Sequence, residues 1–172
     1  MSADDITTFR VLKKRKKEET PPKESQWFLT VNSNRTFEEL GEEGRRDFEE
    51  KMKKLWSKPF ALLKVPPNSS EGVGPFHQPP REKIVSVDCE IAFEVGEKHS
   101  RVHMHGRLTV IHRTRVQLNL ALIHSILAEM MGVDSSGNPG IFFKARWVQS
   151  AETQRIENYL TKPNPEKFSF HE

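Results

Sequence analysis

The stretch Arg101-Val-His-Met-His-Gly-Arg-Leu-Thr-Val110 sets two histidines, His103 and His105, on either side of Met104. Residues two apart on a β-strand share a face, so both imidazoles can reach one cation while Met104 turns to the opposite side. The only tyrosine, Tyr159, stands three residues before Lys162, a spacing that puts both on one face of a helix. A phenol attacking phosphorus forms a covalent phosphotyrosine that conserves the bond for later religation. The lysine would lower the phenol's pKa, help remove its proton or stabilise the charged transition state. A cation beside such a pair would act as a Lewis acid on a phosphate. Singly, each residue has a plainer reading, Tyr159 as an amphipathic helix-edge residue and Lys162 as a solvated cation. Their combination is what points to chemistry.

The background suits that chemistry. The chain has 172 residues, the size of one domain, with 30% charged residues and a net charge of +3. Mean hydropathy is −0.67, no apolar run approaches the ~18 residues that cross a bilayer, and no membrane partner is expected. One cysteine, Cys89, excludes an internal disulfide framework. Between Lys98 and Ala128 there is no aspartate or glutamate, while Lys98, Arg101, Arg107, Arg113 and Arg115 fall in the same stretch. A carboxylate-free region around two candidate ligands favours an anionic ligand, nucleic acid first.

Residues 1–24 are polar, charged and aperiodic, and read as a disordered basic tail. Its cluster Lys13, Lys14, Arg15, Lys16 and Lys17 fits a nuclear-import signal, a phosphate-gripping arm or a solvated tail. An import role would place the protein in a host nucleus; otherwise it is expected in the cytoplasm. Residues 25–172 read as the working domain. From Gln26, Trp27, Leu29 and Val31 alternate with Phe28, Thr30 and Asn32, the pattern of a half-buried strand. Thr36 and Glu39 form a capping-box signature, opening a helix that turns Phe48, Met52 and Leu55 to the core, with Gly41 and Gly44 able to break its first turns. The proline- and glycine-rich stretch 65–80 predicts a long irregular loop.

Alternation returns at Ile84, with Val85, Val87, Cys89, Ile91, Phe93 and Val95 on one face. The histidine strand follows, with Val102, Met104, Leu108 and Val110 opposed by His103, His105, Arg107 and Thr109. The two read as a hairpin. A helix is predicted over 117–131, with Gly132 as its stop, then a strand over 141–148 with Phe143, Ala145 and Trp147 inward. Ser150 caps a last helix that Pro163 ends. The fold class is α+β, a ferredoxin-like or RRM-like βαββαβ antiparallel sheet with helices on one face, plus a C-terminal helix carrying Tyr159. A hairpin turn centred on Lys98 and His99 sets Glu94 opposite His103 and Ala92 opposite His105. Two imidazoles and a carboxylate then converge with coordination positions left open, a set suited to a borderline or hard divalent ion. His112 and His124 are expected to serve packing or surface, Trp27 and Trp147 to belong to the core, and His77 and His171 to lie in loops.

Together these motifs resemble the HUH endonuclease domain of rolling-circle replication initiators, above all the single-tyrosine Rep proteins of small circular single-stranded DNA viruses and plasmids. Phe28-Leu-Thr-Val-Asn-Ser-Asn34 resembles the first motif, His103-Met-His105 the metal-binding motif and Tyr159-Leu-Thr-Lys162 the nucleophile motif. The resemblance covers about Gln26 to Lys162. It implies Glu94 as third metal ligand, ahead of Glu90 and Glu97, with Mg²⁺ or Mn²⁺ as cofactor. It implies nicking of single-stranded or hairpin origin DNA, with Tyr159 joined to the 5′ phosphate and a 3′ hydroxyl freed to prime replication. DNA would lie over the open sheet face, with Phe28 stacking on a base and Thr30, Asn32, Asn34, Arg107, Lys144 and Arg146 as polar or phosphate contacts. The chain departs from full-length initiators in having no GxxxxGK[ST] loop: either it is an excised nuclease domain, or it borrows unwinding, with a helicase or host replication proteins as partners.

Two other readings compete. A single-tyrosine HUH transposase or relaxase would use the same residues on transposon or transfer ends. A non-catalytic RRM-like nucleic-acid-binding module shares the topology, but its central strands expose aromatics where this chain carries His103, His105 and Glu94.

Overall fold

The computed structural model describes residues 21–66, 77–95, 101–132, 142–148 and 167–172, apart from the side chains of Asn34 and Phe37. The expected last helix with Tyr159 and Lys162, the basic cluster Lys13–Lys17, Glu97 and most of the 65–80 loop lie outside those residues. In chain order the elements are β1 (Lys23–Thr36), α1 (Phe37–Trp56), β2 (Leu63–Lys64), β3 (Ile84–Val95), β4 (Arg101–His112), β5 (Gln117–Leu118), α2 (Leu120–Met131), β6 (Phe142–Val148) and β7 (Lys167–His171). The class is α+β: among the described residues, a five-stranded sheet in the order β6-β1-β4-β3-β7, every pairing antiparallel, with two α-helices. A two-stranded ribbon, β2 with β5, stands apart from it.

Alternation decides which side of the sheet is covered. Leu29, Val31, Val87, Cys89, Ile91, Val102, Met104, Leu108 and Val110 form one buried cluster with Phe48, Met52 and Trp56 of α1 and Ile123 and Leu127 of α2. Both helices therefore pack on the same face. Burial pushes the Cys89 thiol pKa far up, with Glu90 adding to the shift, which leaves it a core residue rather than a reactive one. Entry to α1 follows the capping box: Thr36 Oγ1 accepts from Glu39 N and the Glu39 carboxylate accepts from Thr36 N. Gly41, at φ 68°, kinks the helix after its first turn, a conformation that glycine takes without a Cβ penalty. Gly44 stays helical.

Several expectations need correction. β1 begins at Lys23, paired with His112, so residues 23 and 24 belong to the sheet rather than to a tail. Asn34 lies within β1, at a register irregularity between Asn32 and Thr36. A bulge between Ile84 and Ser86 lets Ile84 pack on the core and turns Val85 out to 52% exposure, since an extra residue flips the facing of its neighbours. Gln117 and Leu118 are strand, because Asn119 caps α2 by accepting from Leu122 N. Leu122 is consequently exposed. Trp147 has inward parity yet is 56% exposed, for β6 is an edge strand and the core cluster reaches only to Phe143 and Ala145. His171 lies in β7, an unforeseen fifth strand, rather than in a loop.

Candidate metal centre

The register of β3 and β4 puts Glu94 opposite His103 and Ala92 opposite His105, the pairing expected from a turn at Lys98 and His99. Glu94 Oε1 lies 2.6 Å from His103 Nε2 and 2.9 Å from His105 Nε2, and one ligand atom from each residue falls within 4.8 Å of the others. A cation bound at ~2.1 Å from each atom wants neighbouring ligands ~3 Å apart. A few tenths of an ångström of opening would admit one. The donor set, two imidazoles and a carboxylate on the face opposite the two helices, fits a divalent ion with positions left for other ligands.

Surrounding groups hold these side chains in place. His103 Nδ1 lies 3.1 Å from the Arg101 carbonyl; a carbonyl only accepts, so Nδ1 donates to it and Nε2, which faces Glu94, is the nitrogen that would ligate a cation. The His103 and His105 rings meet edge to face, centroids 4.6 Å apart. Phe28 stacks on His105 at 5.6 Å and 10°. Glu90, the rival carboxylate, is taken by Arg107 at 2.8 Å and is not in the triad.

The other candidates spread outward from the triad in rows. Asn32 stands opposite His103, and Phe142 of β6 stands opposite Asn32. Thr30 stands between His105 and Lys144, and Phe28 between Arg107 and Arg146. Lys144 and Arg146 are exposed, whereas Arg107 is committed to Glu90 and Phe28 is half-buried. His124 is exposed, with its ring against Phe143. His112 is buried, bonded through Nε2 to Ser25 Oγ at 2.8 Å, and burial lowers its pKa below the usual imidazole value.

Two residues escaped the sequence reading. Phe142, 54% exposed, presents an aromatic ring on the open face, as its shared parity with Lys144 and Arg146 could have told. Lys167 is paired with Ala92, level with His105, which only knowledge of β7 would have revealed. Comparison with protein-family models, with curated proteins and with solved structures gives no match. What the site can do therefore rests on its geometry.

Proposed function

We propose that this protein is an HUH-type endonuclease and strand transferase that nicks single-stranded origin DNA to start rolling-circle replication. The observation that carries the reading is the convergence of Glu94, His103 and His105 within 4.8 Å on the sheet face opposite the helices. The strand order supports it too, for β6-β1-β4-β3 is the order of a ferredoxin-like βαββαβ sheet, extended here by β7. Glu94, His103 and His105 would hold Mg²⁺ or Mn²⁺, and the bound ion would polarise the scissile phosphate. The Tyr159 phenol oxygen attacks phosphorus; a Tyr–O–P bond forms, the P–O3′ bond breaks, and the electron pair leaves on O3′. Lys162 eases loss of the phenol proton, and O3′ takes up a proton to become the 3′ hydroxyl. Lys144 and Arg146 supply phosphate contacts, and the cluster Lys13–Lys17 an import signal.

Chain connectivity is compatible with this role for Tyr159. β6 and β7 are the opposite edges of the sheet, and the chain between them carries Tyr159 and Lys162. Lys167 is two strands from His105, about 10 Å. Lys167 is eight positions after Tyr159, a reach of up to ~28 Å. The test is incubation with Mn²⁺ and a library of single-stranded stem-loop DNAs. A covalent adduct mapped to Tyr159 by peptide mass spectrometry is expected, and Tyr159→Phe should lower nicking at least ~10³-fold while DNA binding survives. Nicking by Tyr159→Phe at the parent rate sinks the nucleophile assignment.

A further inference from the structure

Phe28 opens the first-strand motif and points to the open face, where an aromatic would be expected to stack on a base. The structure gives it another neighbour. Its ring lies against the His105 imidazole, centroids 5.6 Å apart and planes inclined by only 10°. The two residues are diagonal neighbours: Phe28 pairs with Arg107, and Thr30 pairs with His105. Diagonal positions on adjacent strands remain within reach of an aromatic side chain. Phe28 packs against Ala92 and Val148, both buried. Ala92 is the residue opposite His105 on β3, so a residue that Phe28 packs against is also the cross-strand neighbour of the imidazole.

The two histidines of the triad are thus held by different means. His103 has its ring plane set by the bond from Nδ1 to the Arg101 carbonyl. On His105 the flat contact with Phe28 favours one ring plane, because turning the imidazole about its terminal torsion gives up the stacked contact. That torsion is otherwise broad for histidine.

We propose that Phe28 is a positioning residue, whose ring fixes the plane of the His105 imidazole so that Nε2 meets His103 Nε2 and Glu94 Oε1 at one point. The proposal rests on the metal-centre reading above. It moves Phe28 from the DNA-contacting set to the support of a ligand.

Mn²⁺ titration of the whole chain by calorimetry, without DNA, tests it with Phe28→Leu and Phe28→Tyr. Leucine keeps apolar bulk on Ala92 and Val148 but lacks a flat ring, and should weaken Mn²⁺ binding ~10-fold, the usual scale for losing a ligand's support. Tyrosine restores the ring and should bind within about twofold of the parent. Binding of a fluorescent single-stranded oligonucleotide in EDTA should not change with Phe28→Leu. Unchanged Mn²⁺ affinity in Phe28→Leu, or equal loss in both variants, overturns the proposal. So does a loss confined to oligonucleotide binding, which would mark Phe28 as a base platform. Should Phe28→Leu fail to fold, the His105 ring protons of the metal-free parent decide: an upfield ring-current shift is expected, and its absence overturns the stack. A parent that takes up no Mn²⁺ overturns the metal centre and this proposal together; normal parent binding with an unaffected leucine variant overturns this proposal alone.

Discussion

On its covered face β4 carries Val102, Met104, Leu108 and Val110, all without solvent exposure. On its other face the same strand carries His103, His105 and Arg107, whose side chains are still only 11–15% exposed. The first set packs against the helices, and in the second the histidines meet Glu94 and the arginine meets Glu90 across the strands. Stability and candidate chemistry thus occupy alternate residues of one strand. Period-two geometry lets either be altered with little direct contact with the other.

Substitutions at neighbouring positions should separate the two faces. Met104→Ala empties a fully buried site between the histidines and should cost about 2–5 kcal/mol. Thermal denaturation should show the fall, while the folded fraction keeps its Mn²⁺ affinity within a few fold. His103→Ala should do the reverse. The parent's gain in stability on adding Mn²⁺, about 2.7 kcal/mol at a concentration of 100 Kd, should vanish and its metal-free melting change little. If Mn²⁺ stabilises the alanine variant as well as the parent, the triad is not the binding site.

Gly106→Ala probes the covered face at a close approach of the strands. An added Cβ would sit 3.0 Å from the Glu90 carbonyl oxygen and 3.2 Å from Ile91 Cγ2. Backbone in mid-sheet gives way poorly, so a loss of about 1–3 kcal/mol is expected, the range for overpacking. An equal or higher melting temperature would show that the strands can spread there.

The smallest effect is a pH dependence away from the triad. The pKa of His112 is lowered in the fold by burial, with Lys23 adding to the shift. Its neutral form is therefore favoured in the folded state. That contribution is present above the unfolded value of ~6.5 and is lost as pH falls through the lower folded value. His112→Gln should flatten the melting temperature between pH 7 and 5 relative to the parent; an unchanged slope would remove His112 from the account.

How far the sequence could be read follows the same division. The capping box at Thr36 and Glu39, the buried sets of β1 and β4, and the pairing of Glu94 with His103 all come from local spacing, and all are found. What failed depended on partners far along the chain. The bulge at Val85 interrupts an alternation that looks unbroken. Trp147 carries inward parity at a sheet edge where parity does not ensure cover. Gln117 and Leu118 look helical until Leu63 and Lys64 pair with them. β7 is short and follows two prolines, although Phe168 and Phe170 alternating with Lys167, Ser169 and His171 held its signal.

The fifth strand also bears on the order of assembly. Asp88 and His171, joined side chain to side chain, are 83 residues apart, and Glu172 exchanges two backbone hydrogen bonds with Val87. Closing so long a loop is entropically slow. During synthesis the hairpin bearing Glu94, His103 and His105 leaves the ribosome well before its outer neighbour. A nascent chain can thus hold the ligand triad while the sheet margin beside β3 is still bare, open to chaperones or to pairing with another chain until Lys167–His171 docks.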